Sequence, residues 1–297
     1  MITVVGSFNA DLTVNVERHP DPGETLLGTG GVTTAGGKGA NQAAAAARLG
    51  AAVAMVGAVG ADANAAVATA ILRESGVDLT HVEEAGAVTG LAVITVGAGG
   101  ENTIIVVPGA NAAVGAEYVE RHAEPIAAAD VVLLQGEIPA DGFARAVELA
   151  RGRVVINLAP VIDVPRDALL RADPLLANEH EAGLVLEQLG LGGGGSPEEM
   201  AMRLEQAGFT SVVLTLGPAG ALVCDGAGVR RVASPRVTAV DTVGAGDAFA
   251  GALCHRLVQG DSLDAAAAFA ARVGAYSVTK PGAQPSYPAA SDPLPEV

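Results

Sequence analysis

The chain has 297 residues, half of them hydrophobic but only 3% aromatic, with no Trp. That composition argues against disorder and for a sizeable core built from small side chains in close backbone contact. A formal net charge of −16 argues against nucleic acid and against an anionic membrane surface, both of which call for a basic face.

The opening residues, MITVVGSFNAD, carry no basic segment ahead of the apolar run, and no run reaches the roughly 20 apolar residues that span a bilayer. A cytoplasmic protein is expected. Residues 2–6 predict a buried strand, with GSFNAD at its carboxyl end. Asn9 and Asp11 lie two apart, so in extended chain they share a face. An amide beside a carboxylate suits neighbouring sugar hydroxyls; an Asx turn would use the same residues. Residues 12–16 (LTVNV) alternate apolar and polar.

AGGKGANQAAAAARLG (35–50) comes next. Gly36, Gly37 and Gly39 allow close backbone approach, and a helix is predicted over 39–49, ended by Gly50. Lys38 and Asn41 offer donors at its start, although a Gly-rich helix start also serves as a packing device. Residues 52–59 predict a strand and 64–75 a helix. Within 88–107, LAVITV and NTIIVV flank GAGGE and predict a β-hairpin. It could leave the main sheet as a flap over the active site, or extend the main sheet edge.

From there strands and helices alternate. VVLLQ (131–135) precedes Glu137 and a helix over 141–151; VVINL (154–158) and LLAN (175–178) lead to helices near 179–189 and 197–207; SVVLTLG (211–217) precedes helices near 246–258 and 262–279. Such alternation predicts an α/β fold with a mostly parallel sheet covered by helices on both faces. Asn178 and Glu181 share a helix face. Their oxygens suit water-mediated Mg²⁺, and the same spacing makes a capping box. The run Gly192–Gly195 reads as a surface loop.

The strongest signal is AVDTVGAGDAFAGAL (239–253). Gly244, Ala245 and Gly246 sit where a loop enters a helix. Small residues there let backbone N–H groups converge on an oxyanion, and the helix N-terminus adds partial positive charge. An acidic chain needs such a local anion site to hold phosphate. Asp247 follows directly and could take a proton from a hydroxyl attacking phosphorus, or simply cap the helix. Other chemistries lack their signatures: there is no GxxxxGK[ST], no GxGxxG after the first strand, no HExxH and no GxSxG. Cys224 and Cys254 have no zinc-site spacing.

Together these segments resemble the PfkB carbohydrate kinase family, and within it the ribokinase branch, over essentially the whole chain. The carriers, in order, are GSFNAD, PGET (22–25), AGGKGANQA, PGANAAV (108–114), ANEHE (177–181), LTLGPAG (214–220), DTVGAGD (241–247) and GAQPS (282–286). The resemblance implies one ribokinase-like domain over 1–297. Its fold would be a three-layer α/β/α sandwich with a β lid from segments 11–34 and 87–108 that also makes a homodimer contact. It implies ATP-dependent phosphorylation of D-ribose at the 5-hydroxyl, or of another small sugar or nucleoside such as deoxyribose, fructose or adenosine. A non-catalytic sugar-binding protein on this fold is a further alternative. Asp247 would be the base and Gly244, Ala245 and Gly246 the anion hole. Asn9, Asp11, Gly36, Gly37, Lys38, Asn41 and Glu137 would hold the sugar. Thr215, Gly217, Gly220 and Gly246 would line the ATP site. Asn178 and Glu181 would organise Mg²⁺ and phosphates. A monovalent cation, usually potassium, would sit on Asp241, Val243, Ser277, Lys280, Gly282 and Ser286.

Overall fold

A computed structural model describes residues 1–297. It contains two sheets. The larger has nine strands: β1 (Ile2–Val5), β4 (Val53–Val59), β5 (Asp78–Glu84), β8 (Val131–Gln135), β9 (Arg153–Asn157), β10 (Leu175–Asn178), β11 (Ser211–Thr215), β12 (Ala221–Asp225) and β13 (Gly228–Val232). Their order is β13-β12-β11-β10-β9-β8-β1-β4-β5. All neighbours pair in parallel except β11–β12 and β12–β13, a hairpin at one edge.

The smaller sheet has the order β3-β2-β6-β7, from β2 (Asn9–Asn15), β3 (Thr29–Gly36), β6 (Gly90–Val96) and β7 (Asn102–Val107). The 88–107 hairpin is therefore an excursion and not an extension of the large sheet. Its β6 pairs in parallel with β2, and β7 forms an edge. This sheet begins at Asn9, so Asn9 and Asp11 stand in its second-place strand and not in a loop. Residues 16–28 hold no strand.

The helices are α1 (Lys38–Arg48), α2 (Ala63–Glu74), α3 (Ala116–Arg121), α4 (Ala123–Ala128), α5 (Ala140–Leu149), α6 (Arg166–Leu169), α7 (Glu179–Gln188), α8 (Pro197–Gln206), α9 (Ala245–Val258) and α10 (Leu263–Ser277). Successive strand residues point to opposite faces, and both faces of the large sheet are covered. Ile2, Val4, Met55 and Leu133 join a core with α1, α9 and α10. Val5, Val56, Leu134 and Ile156 join a second core with α3, α5, α7 and α8. This two-sided burial explains the unbroken Val/Ile/Leu runs.

One close approach positions the chemistry. Helices α1 and α9 meet across Gly251, where a Cβ would lie 2.5 Å from the Gln42 carbonyl oxygen and 2.7 Å from Ala45 Cβ. The alanines Ala43–Ala47, all buried, let the helices come this near. The small-residue core thus brings the start of α1 against Asp247, one turn before Gly251.

Candidate active site

Three adjoining cavities lie along the carboxyl ends of the parallel strands, where open α/β sheets bind ligands. The first, about 820 Å³, is lined by Asn9, Asp11, Gly37, Lys38, Asn41, Glu137, Gly244 and Asp247, and roofed from the small sheet by Ile94, Ile104 and Val106. Another, about 750 Å³, is lined by Thr215, Gly217, Gly220, Arg236, Gly246 and Ala275. Between them lies a smaller space of about 220 Å³. It shares Lys38, Glu181, Gly244 and Asp247 with the first cavity. It shares Asn178, Thr215, Thr242, Ala245 and Gly246 with the other. Asp247 and the turn before it therefore stand at the junction.

The turn owes its shape to Gly244, whose φ of 74° is left-handed and strained for any side chain. Tyr287, fully buried, donates its hydroxyl to the Gly244 carbonyl at 3.1 Å. No acceptor in the protein takes the N–H groups of Gly244, Gly246 or Asp247, and the Ala245 N–H reaches Thr242 O only at 3.3 Å. These are the orphan donors of a helix start, pointed at the junction.

Both oxygens of the buried Asp247 carboxylate accept amide N–H groups from α1: Asn41 Nδ2 donates to Oδ2 and Gln42 Nε2 to Oδ1, each at 2.9 Å. Asp247 is thus aimed from the side and does not cap α9, whose N-cap is Gly244 with no side-chain cap bond. Lys38, half-buried beside it, is held protonated chiefly by the negative charge of Asp247, against the opposing pull of burial, with help from Glu137, Glu181 and Asp11.

In the first cavity, Asn9 Oδ1 accepts from Asn111 Nδ2 at 2.9 Å, which fixes the amide's orientation. Asp11 Oδ1 is buried with no partner. Burial first, then the charges of Glu137 and Asp247, raise the Asp11 carboxyl to about 7, with Lys38 opposing. Gly36 does not line the cavity. It faces Asp11, where a Cβ would lie 2.1 Å from a carboxylate oxygen. Gly37 (φ 89°) leaves no room for a side chain against the Asn9 N–H and Ser7 carbonyl. Glu137 Oε2 accepts from Ser7 Oγ at 2.5 Å and from the Lys38 N–H at 2.9 Å, so it also caps α1.

Asn178 and Glu181 form a full capping box on α7: Asn178 Oδ1 accepts the Glu181 N–H at 2.8 Å, and Glu181 Oε2 accepts the Asn178 N–H at 2.9 Å. The box leaves Glu181 Oε1 and the Asn178 amide nitrogen for the junction they line. No group of three or more His, Cys, Asp or Glu side chains is placed to hold a metal. A Mg²⁺ would fit here only by taking most of its oxygens from phosphate and water, which is its ordinary preference.

The residues implied for a monovalent cation lie behind the turn. Asp241 bridges two loops, accepting the Val243 N–H at 3.0 Å and the Gly282 N–H at 2.8 Å. The carbonyls of Val243, Lys280 and Gly282 accept from no protein donor, which fits an oxygen-coordinated cation. The Ser277 carbonyl, by contrast, already accepts the Lys280 N–H at 3.3 Å, and the Ser286 hydroxyl is turned to the Ala283 carbonyl.

Several site residues carried no role in the sequence reading. Ser7, Gln42, Asn111 and Gln284 lay within quoted motifs. Gln135 and Asn157, polar ends to apolar strands, were usable signals. Tyr287 gave none, because its role depends on a distant partner.

The sequence model of the pfkB family carbohydrate kinases matches residues 1–290. The ribokinase of Haemophilus influenzae is 36% identical over 297 residues, 99% of this chain and 97% of that protein. A deoxyribokinase of Salmonella typhi is 34% identical, covering 97% and 95%. The solved structure of Arabidopsis thaliana ribokinase complexed with ribose and ATP superposes with a TM-score of 0.89 at 32% identity, covering 97% and 96%. With the sheet order, the junction and these likenesses together, the chain belongs to the PfkB family and is an ATP-dependent carbohydrate kinase.

Proposed function

We propose that this kinase transfers the γ-phosphoryl group of ATP to the 5-hydroxyl of D-ribose, with Asp247 as the base. The observation that carries this reading is the position of Asp247 at the neck between two cavities. Ribose occupies the cavity under the small sheet, and ATP the groove along Thr215, Gly217 and Gly220. As the 5-oxygen attacks phosphorus, its proton passes to Asp247 and the bond to the ADP oxygen breaks. In a loose transition state that proton leaves late, so a well-aimed carboxylate suffices. Charge on the transferring group is met by the free N–H groups of Gly244, Gly246 and Asp247 and by the Lys38 ammonium. Asn178 and Glu181 would hold Mg²⁺, which would supply neutralisation of phosphate charge. Asp241 and the carbonyls of Val243, Lys280 and Gly282 would hold potassium, which would stiffen the loops behind the turn.

The orphaned Asp11 oxygen supports a polyhydroxylated substrate, since a sugar hydroxyl would satisfy it. A site built to receive a hydroxyl rejects the analogue that lacks it. Steady-state ADP release with ribose, 2-deoxyribose, fructose and adenosine tests the assignment. Ribose should give the highest kcat/KM; a preference for 2-deoxyribose, the substrate named for the Salmonella relative, would reassign the site.

Asp11 also gives a pH dependence. Hydroxyl donors bind the ionised form, so kcat/KM for ribose should fall about tenfold per pH unit below about 7. The limb should vanish in Asp11→Asn. Without ligand the sign reverses. A carboxyl raised on folding stabilises fully below its unfolded value, 3.8, and that contribution is lost as pH rises through about 7. At pH 8, Asp11→Asn should therefore melt no lower than the parent while binding ribose more weakly. A lower melting point would count against the unpaired burial of Asp11.

The small sheet serves as lid and dimer contact in this reading. On edge strand β7, Ile104 and Val106 face the cavity, while Ile105 is 62% exposed. An exposed apolar edge favours pairing with another copy. Ile105→Asp should shift the chain from dimer to monomer in analytical ultracentrifugation; an unchanged mass would remove this contact.

A further inference from the structure

The two amides that hold Asp247 are themselves held. Gln135 Nε2 donates to Gln42 Oε1 at 2.7 Å, and Gln284 Nε2 donates to Asn41 Oδ1 at 2.9 Å. Gln42 Nε2 also reaches Asn157 Oδ1 at 2.9 Å. All of these side chains are buried. A primary amide can present either its oxygen or its nitrogen by turning over. Turning Asn41 alone would set its NH₂ against that of Gln284. Turning Gln42 alone would set its NH₂ against that of Gln135 and lose its bond to Asn157, whose own Nδ2 is held by the Leu176 carbonyl at 3.0 Å. Both outer amides end in a buried oxygen with no partner. Buried orphan acceptors are costly to keep, and an apolar side chain in either place would only move the orphan to Asn41 Oδ1 or Gln42 Oε1, which have no other donor.

We propose that Gln284 and Gln135 are positioning residues for the transfer: they hold Asn41 and Gln42 with N–H groups toward Asp247, so the carboxylate stays aimed at the neck. The inference rests on the reading of Asp247 as base. It also ties the base to the 282–286 turn, because Gln284 lies two residues beyond Gly282, which Asp241 anchors. Protonated Asp247 would meet donors on both oxygens and have no acceptor for its proton from that side.

Other charged or titratable groups also surround Asp247: Lys38 from α1, Asp11 from β2, Glu137 after β8, Glu181 from α7 and Tyr287 beyond the turn. All remain in the variants below; Gln284→Glu adds one charge of its own, so its profile is read together with that of the uncharged Gln284→Met. Saturating ribose removes the Asp11 limb from kcat.

The test is the kcat–pH profile of Gln284→Glu at saturating ribose and ATP. A carboxylate at position 284 forces Asn41 to turn over and present its oxygen to Asp247. The acid limb should move up by about one pH unit or more, a roughly tenfold loss at the acid end that recovers at high pH. A profile of unchanged shape, lower or not, overturns the proposal. If Gln284→Glu does not fold, as judged by circular dichroism and melting, Gln284→Met decides. It releases Asn41 without adding charge and should lower kcat roughly tenfold at unchanged ATP KM; parent kcat overturns the proposal. Asp247→Ala separates the two readings. If it stays active, the assignment of the base fails. If it is inactive while both position-284 variants behave as the parent, only the positioning role fails.

Discussion

Asp247→Ala should turn over about 10²- to 10⁴-fold more slowly than the parent, the range typical for loss of a general base. Ribose and ATP should still bind, because Asn9, Asp11 and the Thr215–Gly220 groove are untouched. The fold should persist as well. Removing the carboxylate leaves the Asn41 and Gln42 donors without their acceptor, but Asn41 borders a cavity that water can enter and Gln42 keeps its bond to Asn157. Calorimetry for binding and ADP release for turnover separate the two effects. Retention of most activity with normal binding would remove Asp247 as the base.

Gly244→Ala should be nearly as damaging for a different reason. At φ 74° a side chain costs about 1–2 kcal/mol. The added Cβ would also lie 2.6 Å from both the Tyr287 hydroxyl and Ala283 Cβ. The turn must shift, and the free N–H groups shift with it. Loss of a single well-placed oxyanion donor typically costs about 10²- to 10³-fold in kcat. Gly246→Ala is the control, because a Cβ there meets nothing within 4 Å. It should leave the melting temperature unchanged and act on ATP KM alone. Equal loss of kcat in both variants would mean that bulk near the nucleotide, and not turn geometry, is responsible.

The α/β alternation was legible because both faces of the large sheet are covered. Apolar runs such as VVLLQ and SVVLT carry that burial openly, and helix ends at Gly50 and Asn178 carry local caps. The separate small sheet was only half legible. Its hairpin showed, but β3, with the sequence TGGVTTAG and mostly exposed, has no periodic apolar signal. The edge hairpin β12–β13 was missed for a related reason: its pairing is set by neighbours and not by local pattern. In the site, Asp247 alone looked more like a helix cap than a base. What distinguishes it in the fold is that its oxygens go to Asn41 and Gln42, more than 200 residues earlier in the chain. No local spacing encodes that contact. It follows from the packing of α1 on α9 at Gly251. For Asn178 and Glu181 the capping-box reading holds, and it leaves Glu181 Oε1 uncommitted for the Mg²⁺ role proposed above. In the proposed mechanism, the unsatisfied N–H groups of the turn and the cation of Lys38 answer the charge problem of an acidic chain holding ATP.

The most direct measurement is identification of the product by ³¹P and ¹³C nuclear magnetic resonance after incubation with ATP, Mg²⁺, potassium and ribose, with 5-deoxyribose as the comparison sugar. The predicted result is ribose 5-phosphate formed in step with ADP, and no phosphorylated product from 5-deoxyribose. Phosphate on any other hydroxyl, or equal turnover of 5-deoxyribose, would contradict the placement of the 5-hydroxyl at Asp247.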